Sequence, residues 1–467
     1  MPTPLDPTAV AFMSAENRSQ PMHVGGLAIY RKPEGAGDDY VRSVYEASVN
    51  AEEIRPLFLR RPARSVRTAG QWVWERDDQF DIEYHVRHSA LPRPGRIREL
   101  LELCSRLHGT RLSRERPLWE AHLIEGLYDD TFAMYIKMHH ALLDGVSAMR
   151  LLQSMLDEDP DRRDMPPPWS QPTSTAGPRT SDGPTSLAEL PADVFRSALA
   201  MATEAAGMPS ALVRTIAKGL RNETSSVSLY APRTPFNVSI TGSRRFAAQG
   251  WPLERLRGIA DAAGATLNDV VLAMCSGAVR TYLQEMQALP DTTLVAMVPV
   301  GLQAKNASVA SGEGGNALGA VMVQLGTDLD DPADRLARIH TSMVDGKQAL
   351  GAMSPAQILA MAGLGMAPAI ALPMLRLHEV VRPPFNLIIS NVPGPRQPLY
   401  LNGARLQGTY PLSIPLQGMA LNITCNSYDQ DMEFGLTGCR RSVPHLQRLL
   451  TYLDTELGLL EKATGVS

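Results

Sequence analysis

The sequence predicts an α/β protein of two domains, and three observations carry that reading. Helix-period and strand-period patterns alternate in two separate regions. A break dense in Pro, Ser, Thr and Gly, residues 158–186, divides them. The 467 residues are ample for two cores, and no short-period repeat points to a solenoid. The boundaries follow: a first domain over 1–157, a linker over 158–186, a helical crossover over 187–234, and a second domain over 235–467. Of the residues, 44% are hydrophobic and 20% charged, and the formal net charge is −4. That balance is too ordinary for wholesale disorder and lacks the basic face that nucleic acid requires.

Taken in order, GLAIY (26–30) and WVWERDDQFDIEYHV (72–86) read as strands. RIRELLELCSRLHG (96–109) reads as an amphipathic helix ended by Gly. TFAMYIKM (131–138) is a strand buried on most of its length, and it runs straight into HHALLDG (139–145). VSAMRLLQSML (146–156) is the helix that follows, with Asp144 placed to cap it. Helical patterns then run from about Leu187 to Leu220. In the second region residues 251–286 predict two helices around Gly264. Five strand candidates come next: 294–300, 318–326, 385–392, 420–428 and 432–438, with a closing helix over 445–463.

No charge falls between Lys347 and Arg376, and ILAMAGLGMAPAIALPML (358–375) is long enough to span a bilayer. Ala, Gly and Met carry it, however, and Pro368 and Pro373 interrupt it. It therefore reads as helices buried in a core or lining a tunnel before it reads as a membrane contact or a span. The first twenty residues lack the basic and apolar regions of a secretory signal. Cys104, Cys275, Cys425 and Cys439 are widely spaced in apolar surroundings, which predicts buried free thiols in a reducing compartment.

The chemistry concentrates in His139-His140-Ala-Leu-Leu-Asp144-Gly145. Three readings are open. Two imidazoles and a carboxylate are metal-ligand types, but adjacent strand residues point to opposite faces and no second cluster completes a set. Two histidines satisfied by backbone partners in a core are the plain alternative. The third reading is a general base: imidazole takes a proton from a hydroxyl near neutral pH, and one member of the pair suffices. Its neighbour, facing away, is then held in packing.

KMHHALLDG, RPLWEAHLIEG (116–126), QPMHVGG (20–26) and FNLIISNVPGP (385–395) together resemble the bacterial bifunctional wax ester synthase/diacylglycerol acyltransferase family. The motifs occur in the family's order and span nearly the whole chain. The resemblance implies a two-domain chloramphenicol-acetyltransferase-like (CoA-dependent acyltransferase) fold with an interdomain tunnel. It also implies His140 as the base, with Asp144 holding the loop and Gly145 allowing a tight exit. Pro117, Leu118 and Trp119 match the family's PLW motif, as core packing or as substrate contacts. Asn268, in ATLNDVV, matches a polar position near the catalytic histidine and is an oxyanion donor or an orienter, unless it is an N-cap. The family's amino-terminal acid sits in an LSPxD pattern; this chain reads LDPT there, and Glu16, further on, still fits.

The implied reaction passes an acyl group from acyl-CoA to a long-chain alcohol or a diacylglycerol. Acyl-CoA is then a substrate, and no cofactor or metal is called for. No Gly-x-Ser-x-Gly elbow is present, which favours direct transfer in a ternary complex. The uncharged 348–375 stretch is the candidate tunnel wall, with Leu359, Gly363 and Ala367 on one helix face. Arg60, Arg61, Arg64 and Arg67 form a basic run that meets CoA phosphates, lipid headgroups or only solvent. The expected location is cytoplasmic, in peripheral contact with a membrane or lipid body. Two alternatives stand: a condensation-like domain using carrier-protein thioesters, and a non-catalytic lipid-droplet surface protein.

Overall fold

The computed structural model describes residues 2–51, 53–65, 68, 70–143, 145–170, 231–301, 318–352 and 382–466. The first half contains β1 (Thr3–Pro4), α1 (Pro7–Ala15), β2 (His23–Arg31), α2 (Tyr40–Val49), α3 (Pro56–Leu59), β3 (Arg60–Ala63) and β4 (Val73–Arg76). It continues with α4 (Ile82–His85), β5 (Val86–Ala90), α5 (Ile97–Gly109), β6 (Trp119–Glu125), β7 (Thr131–His139) and α6 (Gly145–Gln153). The second half opens with β8 (Arg244–Pro252), α7 (Leu253–Ala263), α8 (Leu267–Glu285), β9 (Val295–Gly301), β10 (Leu318–Gln324) and α9 (Pro332–Gly351). It ends with β11 (Leu387–Val392), β12 (Tyr400–Leu401), β13 (Ala404–Leu412), β14 (Leu421–Tyr428), β15 (Asp431–Cys439) and α10 (Arg448–Thr464).

Each domain is built on a mixed six-stranded sheet. The first has the order β12-β13-β2-β7-β6-β5 and the second β10-β9-β11-β14-β15-β8. A small sheet, β1-β4-β3, lies apart. The first sheet is completed from the other half of the chain. After β11 the backbone crosses over, and β13 pairs antiparallel with β2 from Arg405 opposite Arg31 to Leu412 opposite Gly25. It then returns to β14 and β15, and Gly435 permits the close approach between domains. A Cβ there would lie 1.9 Å from the Pro411 carbonyl oxygen.

Alternation along β7 splits the first core in two. Phe132, Met134, Ile136 and Met138 join one cluster, together with Trp119 and α2. Ala133 and Tyr135 join the cluster facing α5, which also takes in Phe246 of β8. The second domain has one large core, in which α8, α9 and α10 cover the sheet. Local chemistry explains the element ends. Thr266 and Asp269 form a capping box at the start of α8, and Gly264 ends α7 in the left-handed region at φ 61°.

Several elements differ from the sequence reading. Residues 72–86 are not a continuous strand: Asp81 caps a helical turn by accepting from Glu83 N–H at 3.1 Å, and β5 begins only at Val86. Within 158–186 the part up to Ser170 lies on the first domain. Trp169 is fully buried there, stacked on Trp119 at 5.2 Å. Residues 171–230, which hold the rest of the predicted linker and nearly all of the crossover, lie outside the described residues. The four cysteines are buried and unpaired. Among the described residues no single helix is long and apolar enough to cross a membrane. The bent pair α7 and α8 passes by composition, but α8 is buried along most of its length.

Candidate active site

β7 delivers the two histidines to the end of the first sheet, and neighbouring strands pin both of their backbone amides. His139 N–H donates to the Leu118 carbonyl at 3.0 Å, and His140 N–H to the Met22 carbonyl at 2.8 Å. Two of the sequence motifs thus act on the same turn, RPLWEAHLIEG through Leu118 and QPMHVGG through Met22. The chain then folds back, with Leu142 N–H donating to the His139 carbonyl at 2.8 Å. Gly145 starts α6 without a positive φ, and no atom of the described residues lies within 4 Å of where a Cβ would sit. The tight exit expected of this glycine is therefore not a steric requirement; the close approach of α6 to the sheet is at Gly26 instead. A Cβ at Gly26 would come within 2.9 Å of the Leu152 side chain.

The two rings have different surroundings. His139 is fully buried, and its Nδ1 accepts from Ala141 N–H at 3.0 Å. Its Nε2 faces the Glu16 carboxylate at 3.6 Å. His140 is half-buried, and Phe12 of α1 stacks on it with centroids 4.1 Å apart and planes 20° off parallel. Glu16 is itself held by Arg114, whose Nε and Nη2 each lie 3.1 Å from Oε2. Burial alone raises this carboxyl's pKa, but His139, the Met22 amide and Arg114 outweigh it and hold it below the usual range.

A buried polar layer underlies the pair. The Lys137 side chain is fully buried; its Nζ lies 3.2 Å from Glu120 and donates to the Leu107 and Thr110 carbonyls at the end of α5. Burial again opposes ionisation of Glu120, yet His122, Lys137 and Arg87 bring its pKa down to about 2. His23 pairs across the strands with His139 and contacts the His108 carbonyl at 2.8 Å. His108 in turn reaches Tyr135 and the Ser413 carbonyl, which follows β13. Burial keeps both His23 and His108 well below the ordinary histidine range.

Pro117, Leu118 and Trp119 are buried, and Trp119 lies among Phe58, His85 and Trp169 with its indole N–H on the Phe58 carbonyl. Their contacts are those of a core. Asn268 is half-buried on the first turn of α8; Thr266, not Asn268, is the N-cap. Its neighbour Asp269 accepts from Thr266 N–H at 2.9 Å and contacts His340 at 2.8 Å. Arg60 and Arg64 lie over Trp74 and Trp72, and Arg61 pairs with Glu75, so these three hold the small sheet. Asp144, Arg67, Leu359, Gly363 and Ala367 lie outside the described residues.

A small apolar cavity of about 30 Å³ sits between α6 and the sheet, floored by Ala28 and Ile136 and walled by Met149, Leu152 and Leu406. Sequence reasoning missed this cavity, and it missed Phe12 and Arg114. The i, i+4 spacing of Phe12 and Glu16, just before QPMH, was the available signal for the first.

Residues 5–271 match the wax ester synthase/diacylglycerol acyltransferase catalytic domain, and residues 314–461 match the C-terminal domain of the same proteins. The chain belongs to the wax ester synthase/diacylglycerol acyltransferase family. This acyltransferase is 47% identical over 462 residues to a putative diacylglycerol O-acyltransferase of Mycobacterium tuberculosis, covering 99% of this chain and 100% of that one. A probable diacylglycerol O-acyltransferase of the same organism is 46% identical, covering 98% and 99%. Among solved structures it is similar to the wax ester synthase/diacylglycerol acyltransferase of Marinobacter aquaeolei VT8. That match has 42% identity and a TM-score of 0.77, and covers 99% of this chain and 100% of that chain. A condensation domain of the CDA synthetase aligns at 15% identity and a TM-score of 0.54, covering 99% and 96%. The acyltransferase therefore has the two-domain fold of that wider group.

Proposed function

We propose that this acyltransferase transfers a fatty acyl group from acyl-CoA to the hydroxyl of a long-chain alcohol, a diacylglycerol or both. His140 is the general base, and both substrates are bound together. The observation that carries this reading is the contrast within the pair: His139 is locked by packing, while His140 is half-buried with its ring plane set by Phe12. The acceptor hydroxyl gives its proton to His140 as its oxygen attacks the thioester carbon. Collapse of the tetrahedral intermediate breaks the C–S bond, and the departing CoA thiolate takes the proton back from the imidazolium. Asn268 is the group assigned to the oxyanion. Asp144 holds the loop, and no cofactor is needed.

The apolar lining of the cavity beside α6 suits a fatty chain as the transferred group, and at about 30 Å³ the cavity must widen to admit one. At about 0.8 kcal/mol per buried methylene, a dozen methylenes supply roughly 10 kcal/mol of gross binding energy. The uncharged 348–375 stretch remains assigned to a tunnel wall, with Gly363→Ile as its test. Products this apolar place the enzyme in peripheral contact with a membrane or lipid-body surface in the cytoplasm. The deciding experiment incubates purified protein with palmitoyl-CoA and either hexadecanol or a diacylglycerol, and follows CoA release. His140→Ala should lower turnover by about 10²–10⁴. Equal turnover in the two proteins would refute the base assignment.

A further inference from the structure

We propose that Glu16 is a positioning residue for acyl transfer, acting on the His140 turn through His139, and that α1 is the element that delivers it. This rests on His140 as the base.

Two residues of one helical face reach the two histidines. Phe12 lies in α1, and Glu16 follows it by one turn, its N–H donating to the Phe12 carbonyl at 3.1 Å. Phe12 stacks on His140, while the Glu16 carboxylate faces His139. The Glu16 side chain is 1% exposed, so its charge persists only through its partners. Arg114 from the segment after α5 holds Oε2, and Met22 N–H ahead of β2 donates to Oε1 at 3.3 Å. The same Met22 residue accepts the His140 N–H through its carbonyl. Arg114 also donates to the Met13 carbonyl at 2.7 Å, tying the guanidinium to α1 itself.

The histidine's hydrogen bonds determine which tautomer fits. Because His139 Nδ1 accepts from Ala141 N–H, the neutral ring carries its proton on Nε2. That nitrogen has no hydrogen-bond partner among the described residues, and the Glu16 carboxylate is the anion it faces. The opposite tautomer would set Nδ1–H against Ala141 N–H, donor against donor. A carboxylate at Nε2 therefore keeps the ring in the state that folds the turn after His139, and that turn carries His140. Lys137 on the same face of β7 and His23 on β2 lie close enough to feel this charge arrangement, but neither is a partner of Nε2.

A positioning role predicts a loss in kcat rather than in substrate affinity, since misplacing a base by about 1 Å costs up to about 10²-fold in rate. The test uses the full chain, with palmitoyl-CoA and hexadecanol as substrates and thermal unfolding as the check on folding. Glu16→Gln should melt as a folded protein, lose about tenfold or more in kcat, and keep KM for palmitoyl-CoA within about twofold. Should the bare Arg114 charge unfold that variant, the double variant Glu16→Gln with Arg114→Met removes both charges and should give the same split. Wild-type kcat in a folded variant, a loss confined to KM, or failure of both variants to fold each overturns the proposal. His140→Ala separates the two levels. If it is inactive while Glu16→Gln is unimpaired, only the positioning role falls; if it is fully active, both readings fall.

Discussion

Glu433 on β15 is a carboxyl group with almost no water around it and a backbone amide pointed at it. It is 2% exposed and accepts from the Thr409 N–H at the bulge in β13. Burial raises its pKa, the Thr409 amide works against that, Asp431 adds to it, and the result is a value pushed up to about 9. The sign follows directly. Between about pH 4, where the unfolded chain releases the proton, and about 9, where the folded form does, stability falls as pH rises. The slope is at most about 1.4 kcal/mol per pH unit, and the loss is complete above the folded value. Glu433→Gln stays neutral throughout, so its Tm should decline less than that of the wild type from pH 5 to 9. Parallel declines would show that Glu433 does not carry the dependence. Such a residue is invisible to sequence reading, because its surroundings come from a strand two turns of chain away. His139 and His140 were legible because strand alternation separates adjacent residues. The acid that meets His139 was named only as a fit, since its partner Arg114 comes from another segment.

At the scale of elements, α8 shows what patterning captures and what it leaves open. Its existence, and its separation from α7 at Gly264, follow from apolar periodicity and a glycine at the helix end. Which polar residue does the capping depends on backbone angles, and Thr266 takes that role rather than Asn268. Two substitutions now separate cap from chemistry. Thr266→Ala should cost about 1 kcal/mol of stability with little change in kcat. Asn268→Ala should leave Tm near the wild-type value and lower kcat by about 10²–10³ if its amide serves the oxyanion. A normal kcat in Asn268→Ala removes it from the mechanism. Strands were harder to read where both faces are covered. β8 and β13 carry Arg, Gln and Gly among their apolar residues, so neither a clean alternation nor a continuous apolar run marks them. The PLW motif was recognisable as a signature, but its part in the strand network is set by the register of β6 on β7, with Trp119 opposite Met138.

For the whole molecule, two α/β halves were legible from the spacing of the patterns. The exchange between them was not. The cavity beside α6 depends on that exchange, because Leu406 and Thr409 of β13 line it together with residues of β2, β7 and α6. If it holds the fatty chain, filling it should shorten the preferred donor. Met149→Trp is expected to lower kcat/KM for palmitoyl-CoA about tenfold, the worth of roughly two methylenes, and to leave octanoyl-CoA within about twofold. An unchanged chain-length profile would assign the chain elsewhere. The crossing strand also has a consequence for how the protein is made. Until residues 404–412 leave the ribosome, β2 is the bare rim of the first sheet, with its pairing groups unmet and the histidine turn already synthesised beside it. Nascent chains thus carry a sticky edge through most of their translation, and the catalytic half acquires its final shape only when synthesis is nearly over. Cutting the gene between the halves should yield an aggregating fragment, whereas supplying the missing strand in trans should rescue it.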